Sequence, residues 1–251
     1  MLTFQLTRKE MADILLALKG WDNKKPLTIL RDAWIRSNNI SIESEKPMTA
    51  FITTILAPIL DKVIKFEKTE PAFSINEIVA LGNQIENTNF TTTAVQNWVK
   101  RDLKEMISSP QKGKKYSLEQ TALLFLVEDL KTALDFDSIR KLLKLVVNDP
   151  ENDNDDLINP VHLYACYSTL FDHINHGTYE MANYTIKDIE NIIESSAKHM
   201  VDEYTQLSEH RKEAIRNTIV IATLSVFTAY FQMYARKYLS ATLFLQDFTA
   251  P

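Results

Sequence analysis

The chain has 251 residues, of which 45% are hydrophobic and 24% charged, and its formal net charge is −5. These are ordinary globular values, so the chain can bury a core as one large domain or two smaller ones. Its four glycines form no glycine-rich motif, which argues against a phosphate-binding loop. Its one cysteine excludes an internal disulfide framework, and we therefore expect a protein of the reducing cytoplasm.

Helical periodicity extends over most of the chain and strand signals are scarce, which predicts an all-α protein. The capping-box spacing of Thr7 and Glu10 predicts a first amphipathic helix over residues 7–19. The apolar patch inside that helix is short, is interrupted by Lys19 and lacks a small-residue cleavage site. We therefore do not expect the N-terminus to be a signal peptide.

Two further helices are predicted before residue 64. Pro26 is expected to begin the first of them, with one face formed by Leu27, Leu30 and Trp34. Residues 38–47 are polar and predict a loop. Apolar residues then recur at helical spacing from Phe51 to Val63, and Pro58 is expected to kink or divide that helix.

Residues 74–147 predict four helices and one short basic hairpin. Ser74 and Ser117 each begin a capping box, and the second of these boxes opens a strongly apolar helix. Between them, residues 91–103 predict a helix whose inward side chains are Val95, Trp98, Val99 and Leu103. The stretch 109–115 predicts a tight hairpin around Gly113. The last helix has four apolar residues on one face, Ile139, Leu142, Leu143 and Val146.

Residues 148–156, NDPENDNDD, are charged and poor in hydrophobic residues, and they form the predicted domain boundary. The alternating Asp and Asn residues are faintly similar to a calcium loop, but the central glycine and the closing glutamate of such a loop are missing. Beyond this stretch three helical segments are predicted, over residues 161–174, 186–204 and 213–239.

The order of elements between Phe73 and Val147 resembles the MerR family of winged helix-turn-helix regulators. The similar segments are a first-helix opening, a recognition helix, a wing end and a closing helix, at Phe73–Val79, Thr91–Leu103, Gly113–Ser117 and Asp137–Leu143. The combination of Asn97-Trp-Val-Lys100 with Lys114-Lys-Tyr-Ser117 resembles still more closely a subfamily known only as a domain of unknown function with a MerR-like fold.

This resemblance implies an all-α protein that contains a winged helix-turn-helix with a small wing hairpin. The expected parts are an N-terminal helical segment (1–46), the winged-helix domain (47–147), an acidic linker (148–160) and a C-terminal helical domain for dimerisation or effector binding (161–251).

Positive charge is concentrated in residues 90–116, which carry six cations and two anions, whereas the rest of the chain has a net charge of −9. A recognition helix needs small polar side chains for base edges and cations for phosphates. The candidates for base edges are Thr92, Thr93, Gln96 and Asn97. The candidates for phosphates are Lys100, Arg101 and Lys104 on the helix and Lys112, Lys114 and Lys115 on the wing. Trp98 and Tyr116 are expected to anchor these elements in the core.

Two positions depart from the pattern of the family. The resemblance implies two DNA-contacting arginines where this chain has Thr93 and Gln96. A second hypothesis therefore stays open, in which a non-catalytic helical adaptor uses a degenerate winged helix for protein–protein contacts. A basic surface broken by Asp102 and Glu105, or covered by the N-terminal helices, would favour the adaptor.

A second cluster of chemically active side chains falls within fifteen residues: His162, Cys166, Asp172, His173 and His176. Helical spacing puts His162 and Cys166 on one face, where a soft metal ion or a catalytic thiol is conceivable. The metal sensors of the MerR family use several cysteines, and no nucleophile signature is recognisable here. We therefore expect a buried thiol and surface imidazoles, with no metal, no cofactor and no enzymatic activity.

Residues 217–235 carry no charge over 19 positions, which is long enough to raise the question of a membrane span. The stretch contains several polar side chains, so we expect a buried or dimer-forming helix and no membrane. Its aromatic residues are expected to pack in the core, with an effector pocket as the alternative, and they are Phe227, Tyr230, Phe231, Tyr234 and Tyr238. The expected partners are double-stranded DNA, a second copy of the chain and a small-molecule effector.

Overall fold

A computed structural model describes residues 5–38, 51, 56–66, 71–147, 155–177 and 185–249. Within these ranges the regular structure is helical, with three isolated β-bridges and no strand, which confirms the predicted all-α class. The α-helices are α1 (Arg8–Lys19), α2 (Pro26–Ser37), α3 (Pro58–Ile64), α4 (Ile75–Gly82), α5 (Thr92–Asn97), α6 (Lys104–Ile107), α7 (Leu118–Leu130), α8 (Phe136–Val146), α9 (Pro160–Gly177), α10 (Ile186–Asp202) and α11 (Glu209–Thr249). A π-helical turn, Trp98–Asp102, connects α5 and α6.

The helix starts follow from local sequence. The three predicted capping boxes are present, and they begin α1, α4 and α7 at Thr7, Ser74 and Ser117. In each box the hydroxyl and the side chain three residues later satisfy two backbone N–H groups that the first helical turn leaves without partners. Pro26 and Pro58 open α2 and α3, where the lack of an N–H costs nothing.

Helix α7 is the central element of the fold. Every residue from Leu118 to Leu130 is buried, because α1, α9 and α11 all pack against this helix. A helix covered on several sides is apolar nearly all round. Its buried polar side chains have partners, including Thr121, whose hydroxyl donates to the Ser117 carbonyl at 2.7 Å.

One hydrophobic core connects the N-terminal, middle and C-terminal parts of the described chain. Helix α1 packs chiefly on α9, and α10 packs on α11. The predicted division into domains stays a prediction, and most of the acidic stretch that motivates it, residues 148–154, lies outside the described residues. The predicted polar loop from residue 39 onward lies outside them as well.

Three predicted details differ from the structure. Leu27 is exposed, because it lies about 90° around α2 from the buried face of that helix, which consists of Ile29, Leu30, Ala33 and Trp34. The predicted helix over residues 91–103 is divided by the π turn. The predicted basic hairpin contains no strands, and one antiparallel bridge joins Lys112 and Lys115.

Candidate nucleic-acid interface

The connection between α4 and α5 is held by side chains that replace regular secondary structure. The Asn83 amide donates to the Phe90 carbonyl at 2.9 Å and accepts from the Phe90 N–H at 2.8 Å. The Thr88 hydroxyl lies 2.7 Å from the Gly82 carbonyl and 2.9 Å from the Ile85 carbonyl. Because these side-chain hydrogen bonds hold the connection at both ends, they fix where α5 begins.

Close packing at Gly82 brings the two helices together. A Cβ atom on this residue would lie 2.5 Å from a ring carbon of Phe90, a distance that real Cβ contacts do not show. The Phe90 ring is itself fixed by edge contacts with Trp98 and Phe125, at centroid distances of 6.3 and 5.6 Å. Glycine at position 82 therefore allows α4 to pack closely against the Phe90 ring, which lies just before α5.

The segment from α5 through the π turn has one buried face and one exposed face. Val95, Trp98 and Val99 are buried, as predicted. The centroid of the Trp98 ring lies 6.4 Å from that of the Phe136 ring. The Lys131 ammonium lies 5.3 Å from the centroid of the Trp98 ring. Because the indole is enclosed, it anchors the segment and is not accessible to a partner.

The π turn adds one residue to the helical turn. The Leu103 N–H donates to the Trp98 carbonyl at 2.8 Å, which is an i to i−5 bond, and both side chains remain buried. The Arg140 guanidinium donates to the Asp102 carbonyl at 2.8 Å and so attaches the end of the turn to α8.

The basic turn, residues 109–116, is attached at both ends. The buried Gln120 amide donates to the carbonyls of Ile107 and Ser109 at 2.6 and 2.8 Å. Tyr116 exchanges two backbone hydrogen bonds with Phe73, at 2.8 and 2.9 Å. Gly113 supplies the left-handed backbone, with φ +69, that lets the turn reverse. Tyr116 is buried, as predicted, and burial raises the pKa of its phenol.

Most of the predicted DNA-contacting side chains are exposed. Two are half-buried, namely Thr92 and Gln96. The exposed ones are Thr93, Asn97, Lys100, Arg101, Lys104, Lys112, Lys114 and Lys115. No described part of the chain therefore covers this surface.

Asp102 and Glu105, the two anions expected to interrupt the basic surface, have different surroundings. Asp102 accepts a hydrogen bond from the Arg101 guanidinium at 2.8 Å, and this bond and the carboxylate charge raise the pKa of Arg101. Glu105 is exposed. Within the described chain, no carboxylate forms an ion pair with any of four cations, Lys100, Lys104, Lys114 and Lys115.

The cluster on α9 does not form a metal site within the described residues, where no three His, Cys, Asp or Glu side chains come together. The centroid of the His162 ring lies 4.3 Å from that of Trp21, with the two planes tilted by 40°, and burial lowers the pKa of His162. Burial also raises the pKa of Cys166 to about 11, so this thiol stays protonated at neutral pH. These surroundings are those of a packed helix face.

The aromatic residues of α11 divide into two groups. Tyr230 is buried, and Phe227 packs on Phe171 at 4.8 Å. The prediction of core packing is wrong for three others, because no described part of the chain covers their face of α11, and these exposed residues are Phe231, Tyr234 and Tyr238. By length and composition alone, Glu209–Phe244 is long and apolar enough to cross a membrane, and 39% of its most apolar stretch is buried inside the protein.

A groove of about 550 Å³ lies between the α4–α5 connection, the end of α7 and α11. Its charged lining consists of Glu128, Lys131 and Arg236. Lys131 pairs with Glu128 at 2.7 Å; burial raises the pKa of that carboxyl, although the lysine opposes the shift. No sequence signal indicated this groove, because its three walls are far apart in the chain.

Sequence reasoning also missed the roles of Asn83 and Arg140, which position the interface through backbone atoms. Polar side chains in these places give no pattern in the sequence, because their partners are carbonyl and N–H groups that every residue has. Gln120 was visible as the third residue of a capping box, but its bonds to Ile107 and Ser109 were not.

The comparisons with known proteins identify a family. A family described as a domain of unknown function, DUF1836, matches residues 60–167. A curated protein from Bacillus subtilis (strain 168), "Uncharacterized protein YkrK", is 35% identical over 237 residues, which cover 93% of this chain and 96% of the relative. No solved structure matches the chain.

Proposed function

We propose that this chain, which belongs to the DUF1836 family, binds double-stranded DNA as a transcriptional regulator. In this proposal the chain contains a MerR-like winged helix-turn-helix. α4 is its first helix, α5 with the π turn is its recognition helix, and the basic turn is its wing. The observation that carries the proposal is the exposure of four lysines without ion pairs in the described chain, Lys100, Lys104, Lys114 and Lys115, on the same segment of the chain as the exposed polar side chains of α5.

The two kinds of side chain have separate roles. Thr93 and Asn97 are exposed on α5 and reach base edges, where an asparagine amide pairs with adenine through two hydrogen bonds. Lys100 and Lys104 follow on the same segment and contact phosphates, as do Lys114 and Lys115 at the tip of the turn. Arg101 contributes to binding only when it exchanges Asp102 for a phosphate, since both are anions.

Because the chain has a net charge of −5, DNA binding depends on where its positive charges lie. Residues 90–116 carry a net charge of +4 and the rest of the chain −9, so orientation and affinity are expected to depend on the cations of that segment. Each phosphate contact is expected to contribute about 0.9 to the slope of log affinity against log salt concentration.

The test is selection of genomic DNA fragments by the purified protein, followed by titrations at several salt concentrations. The double variant K114E/K115E should bind all sequences more weakly and reduce the salt slope by about 2. Asn97→Ala should change sequence preference while the salt slope stays the same, because an uncharged amide does not displace the counterions of DNA.

The matched control is K187E/K198E. Both lysines are exposed on α10, and the double change gives the protein the same net charge as K114E/K115E. Equal loss of binding in the two double variants would show that only net charge matters, and it would contradict the proposed interface. Selective loss in K114E/K115E supports it.

The second candidate function is a non-catalytic adaptor. Two observations favour it: Asp102 neutralises Arg101, and the exposed Glu105 lies within the basic surface. If the folded protein selects no DNA even at low salt, the adaptor replaces the regulator. Chemical cross-linking from a photoreactive side chain at Asn97 would then identify the protein partner of this surface.

Regulation in this proposal takes place in the cytoplasm and involves a homodimer and an effector, without a catalytic step. Two copies present two recognition helices to the half-sites of a palindrome. The groove beside Lys131 is the proposed effector site, because this lysine contacts both Glu128 in the groove and the Trp98 ring that anchors the recognition helix. A bound molecule that attracts Lys131 would loosen that anchor.

A further inference from the structure

The groove between the α4–α5 connection, the end of α7 and α11 has the size and the lining of a site for a small polar molecule. Its volume of about 550 Å³ falls within the range of about 300–1,000 Å³ that is usual for ligand sites. Of the described residues that line it, only Ala229 and Met233 have apolar side chains. The others carry amides, hydroxyls or charges, and they are Asn87, Thr88, Asn89, Glu128, Lys131, Thr132, Gln232 and Arg236.

The charges of the groove favour an anionic ligand. The one carboxylate among the described lining residues belongs to Glu128, whose side chain is only 8% exposed and pairs with Lys131 at 2.7 Å. Arg236 lines the groove from α11, and no carboxylate of the described chain forms an ion pair with its guanidinium. The positive charge is therefore in excess, so a cationic molecule would be repelled and an anion attracted.

Uncharged hydrogen-bond donors accompany the two cations. Asn89, Thr132 and Gln232 each line one of the three walls, and no described residue forms a hydrogen bond with any of these three side chains. Amide and hydroxyl groups donate to anionic oxygens, and a guanidinium binds a phosphate or a carboxylate through two parallel hydrogen bonds. The donors of this groove are therefore those of a site for an oxyanion.

Lys131 connects the groove to the proposed recognition segment. Its ammonium pairs with Glu128 and also lies 5.3 Å from the centroid of the buried Trp98 ring. An anion held between Lys131 and Arg236 competes with both of these partners for the same ammonium. Binding in the groove would therefore change the surroundings of the Trp98 indole, although no ligand reaches that ring directly.

We propose that this groove binds a small polar molecule through an oxyanion, a phosphate or a carboxylate group, which Arg236 and Lys131 hold together and which draws Lys131 away from the Trp98 ring. That such a molecule acts as an effector rests on the proposed function, whereas the binding itself does not depend on DNA. The groove is larger than one such group, so the rest of the molecule is expected to carry polar groups that face Thr132 and Gln232.

The test is a titration of the full chain, without DNA, with inorganic phosphate and separately with succinate, while sodium chloride keeps the ionic strength constant. Isothermal titration calorimetry should give a Kd below about 1 mM for at least one of the two anions. Binding of phosphate alone would assign a phosphate-bearing molecule to the groove, and binding of succinate alone would assign a carboxylate.

The indole N–H signals in heteronuclear NMR test the movement of Lys131. The Trp98 signal should shift with the same concentration dependence as the calorimetric binding. The Trp21 signal should stay in place, because Trp21 lies beside Lys19, which pairs with Glu119 near the opposite end of α7.

Arg236→Gln should weaken anion binding at least tenfold, because it removes the guanidinium and leaves an uncharged amide. Arg211→Gln is the matched control, since Arg211 is exposed on the same helix, does not line the groove and loses the same charge. It should bind as the wild type does, and circular dichroism should show both variants folded. No binding of either anion, an equal loss in both variants or an unmoved Trp98 signal overturns the proposal.

The inference and the proposed regulator can fail separately. A chain that binds an anion through Arg236 but selects no DNA keeps the groove and removes the regulator. A chain that selects DNA but binds neither anion does the reverse.

Discussion

The guanidinium of Arg8 and the carboxylate of Asp129, 121 positions apart in the chain, form an ion pair at 2.8 Å with both side chains no more than 3% exposed. Tyr167 donates its hydroxyl to the other Asp129 oxygen at 2.8 Å, and Arg8 also donates to the Glu86 carbonyl at 3.2 Å. Burial acts against the charge on Arg8, but the attraction and hydrogen bonds of Asp129 outweigh it and raise the arginine pKa.

This pair connects the parts of the protein that sequence alone keeps separate. Arg8 belongs to α1, Asp129 to the central α7 and Tyr167 to α9. The Arg8 guanidinium also lies 5.6 Å from the centroid of the Tyr230 ring on α11, and the Tyr230 hydroxyl donates to the Glu86 carboxylate. Four helices therefore meet at one buried charge, and the pair fixes their relative positions.

Arg8→Met should lower the free energy of unfolding by about 3–5 kcal/mol, because it leaves the Asp129 charge buried without its partner. Chemical denaturation at neutral pH measures this loss. Lys9→Met is the control, since Lys9 forms only a partly exposed ion pair with Asp13 on the same helix and should change stability by less than about 1 kcal/mol.

The double variant R8M/D129L separates the cost of an unpaired charge from the value of the pair. Replacing both partners with apolar side chains should recover most of the stability lost in Arg8→Met. If the double variant is less stable than either single variant, the pair contributes net stability and the expectation is wrong.

Gly82→Ala should destabilise the protein by about 1–3 kcal/mol, because the added methyl group overlaps the Phe90 ring, which two other aromatic rings hold in place. Thermal and chemical denaturation measure the change. Ala80→Gly is a useful control on the same helix, where the expected loss of about 1 kcal/mol comes from helix propensity alone.

A second-site change identifies the cause. Gly82→Ala combined with Phe90→Leu should be less destabilised than the sum of the two single variants, because the smaller side chain makes room for the methyl group. Additive losses would show that the clash with Phe90 is not what excludes alanine from this position.

Cys166 in the folded protein should react slowly with iodoacetamide. A pKa of about 11, against 9.0 for an ordinary thiol, lowers the thiolate fraction at pH 8 by about 100-fold. The rate should keep rising with pH up to about 11, whereas the rate for the urea-unfolded chain should level off near pH 9. A native rate that already levels off near pH 9 would indicate an accessible, unperturbed thiol.

The same shift has a consequence for stability. Between pH 9 and about 11 the folded chain keeps the Cys166 proton while the unfolded chain loses it. The contribution of this thiol to stability is therefore complete below pH 9 and disappears as the pH rises through the folded pKa. Cys166→Ser should show a weaker loss of stability over that range.

Local sequence determined where five of the described helices begin. The capping boxes at Thr7, Ser74 and Ser117 and the prolines at 26 and 58 were sufficient, because each acts through backbone groups within one turn. Periodicity also identified the buried face of the 91–103 segment, with Trp98 inward. The predicted resemblance to a domain of unknown function is confirmed, since that family matches residues 60–167, whereas the MerR-like winged helix stays a prediction.

Only the tertiary structure decided which of these elements contact one another and which surfaces remain free. Helical periodicity over residues 91–103 did not predict the π turn at Trp98–Asp102, and the buried pair of Arg8 and Asp129 needs four helices to enclose it. Exposed aromatic side chains of α11, such as Phe231 and Tyr238, lie where no described part of the chain covers the helix, whereas its apolar face from Ile215 to Tyr230 is buried by neighbouring helices. Apolar spacing fixes the face of a helix, but burial of that face depends on neighbours brought together by the whole chain.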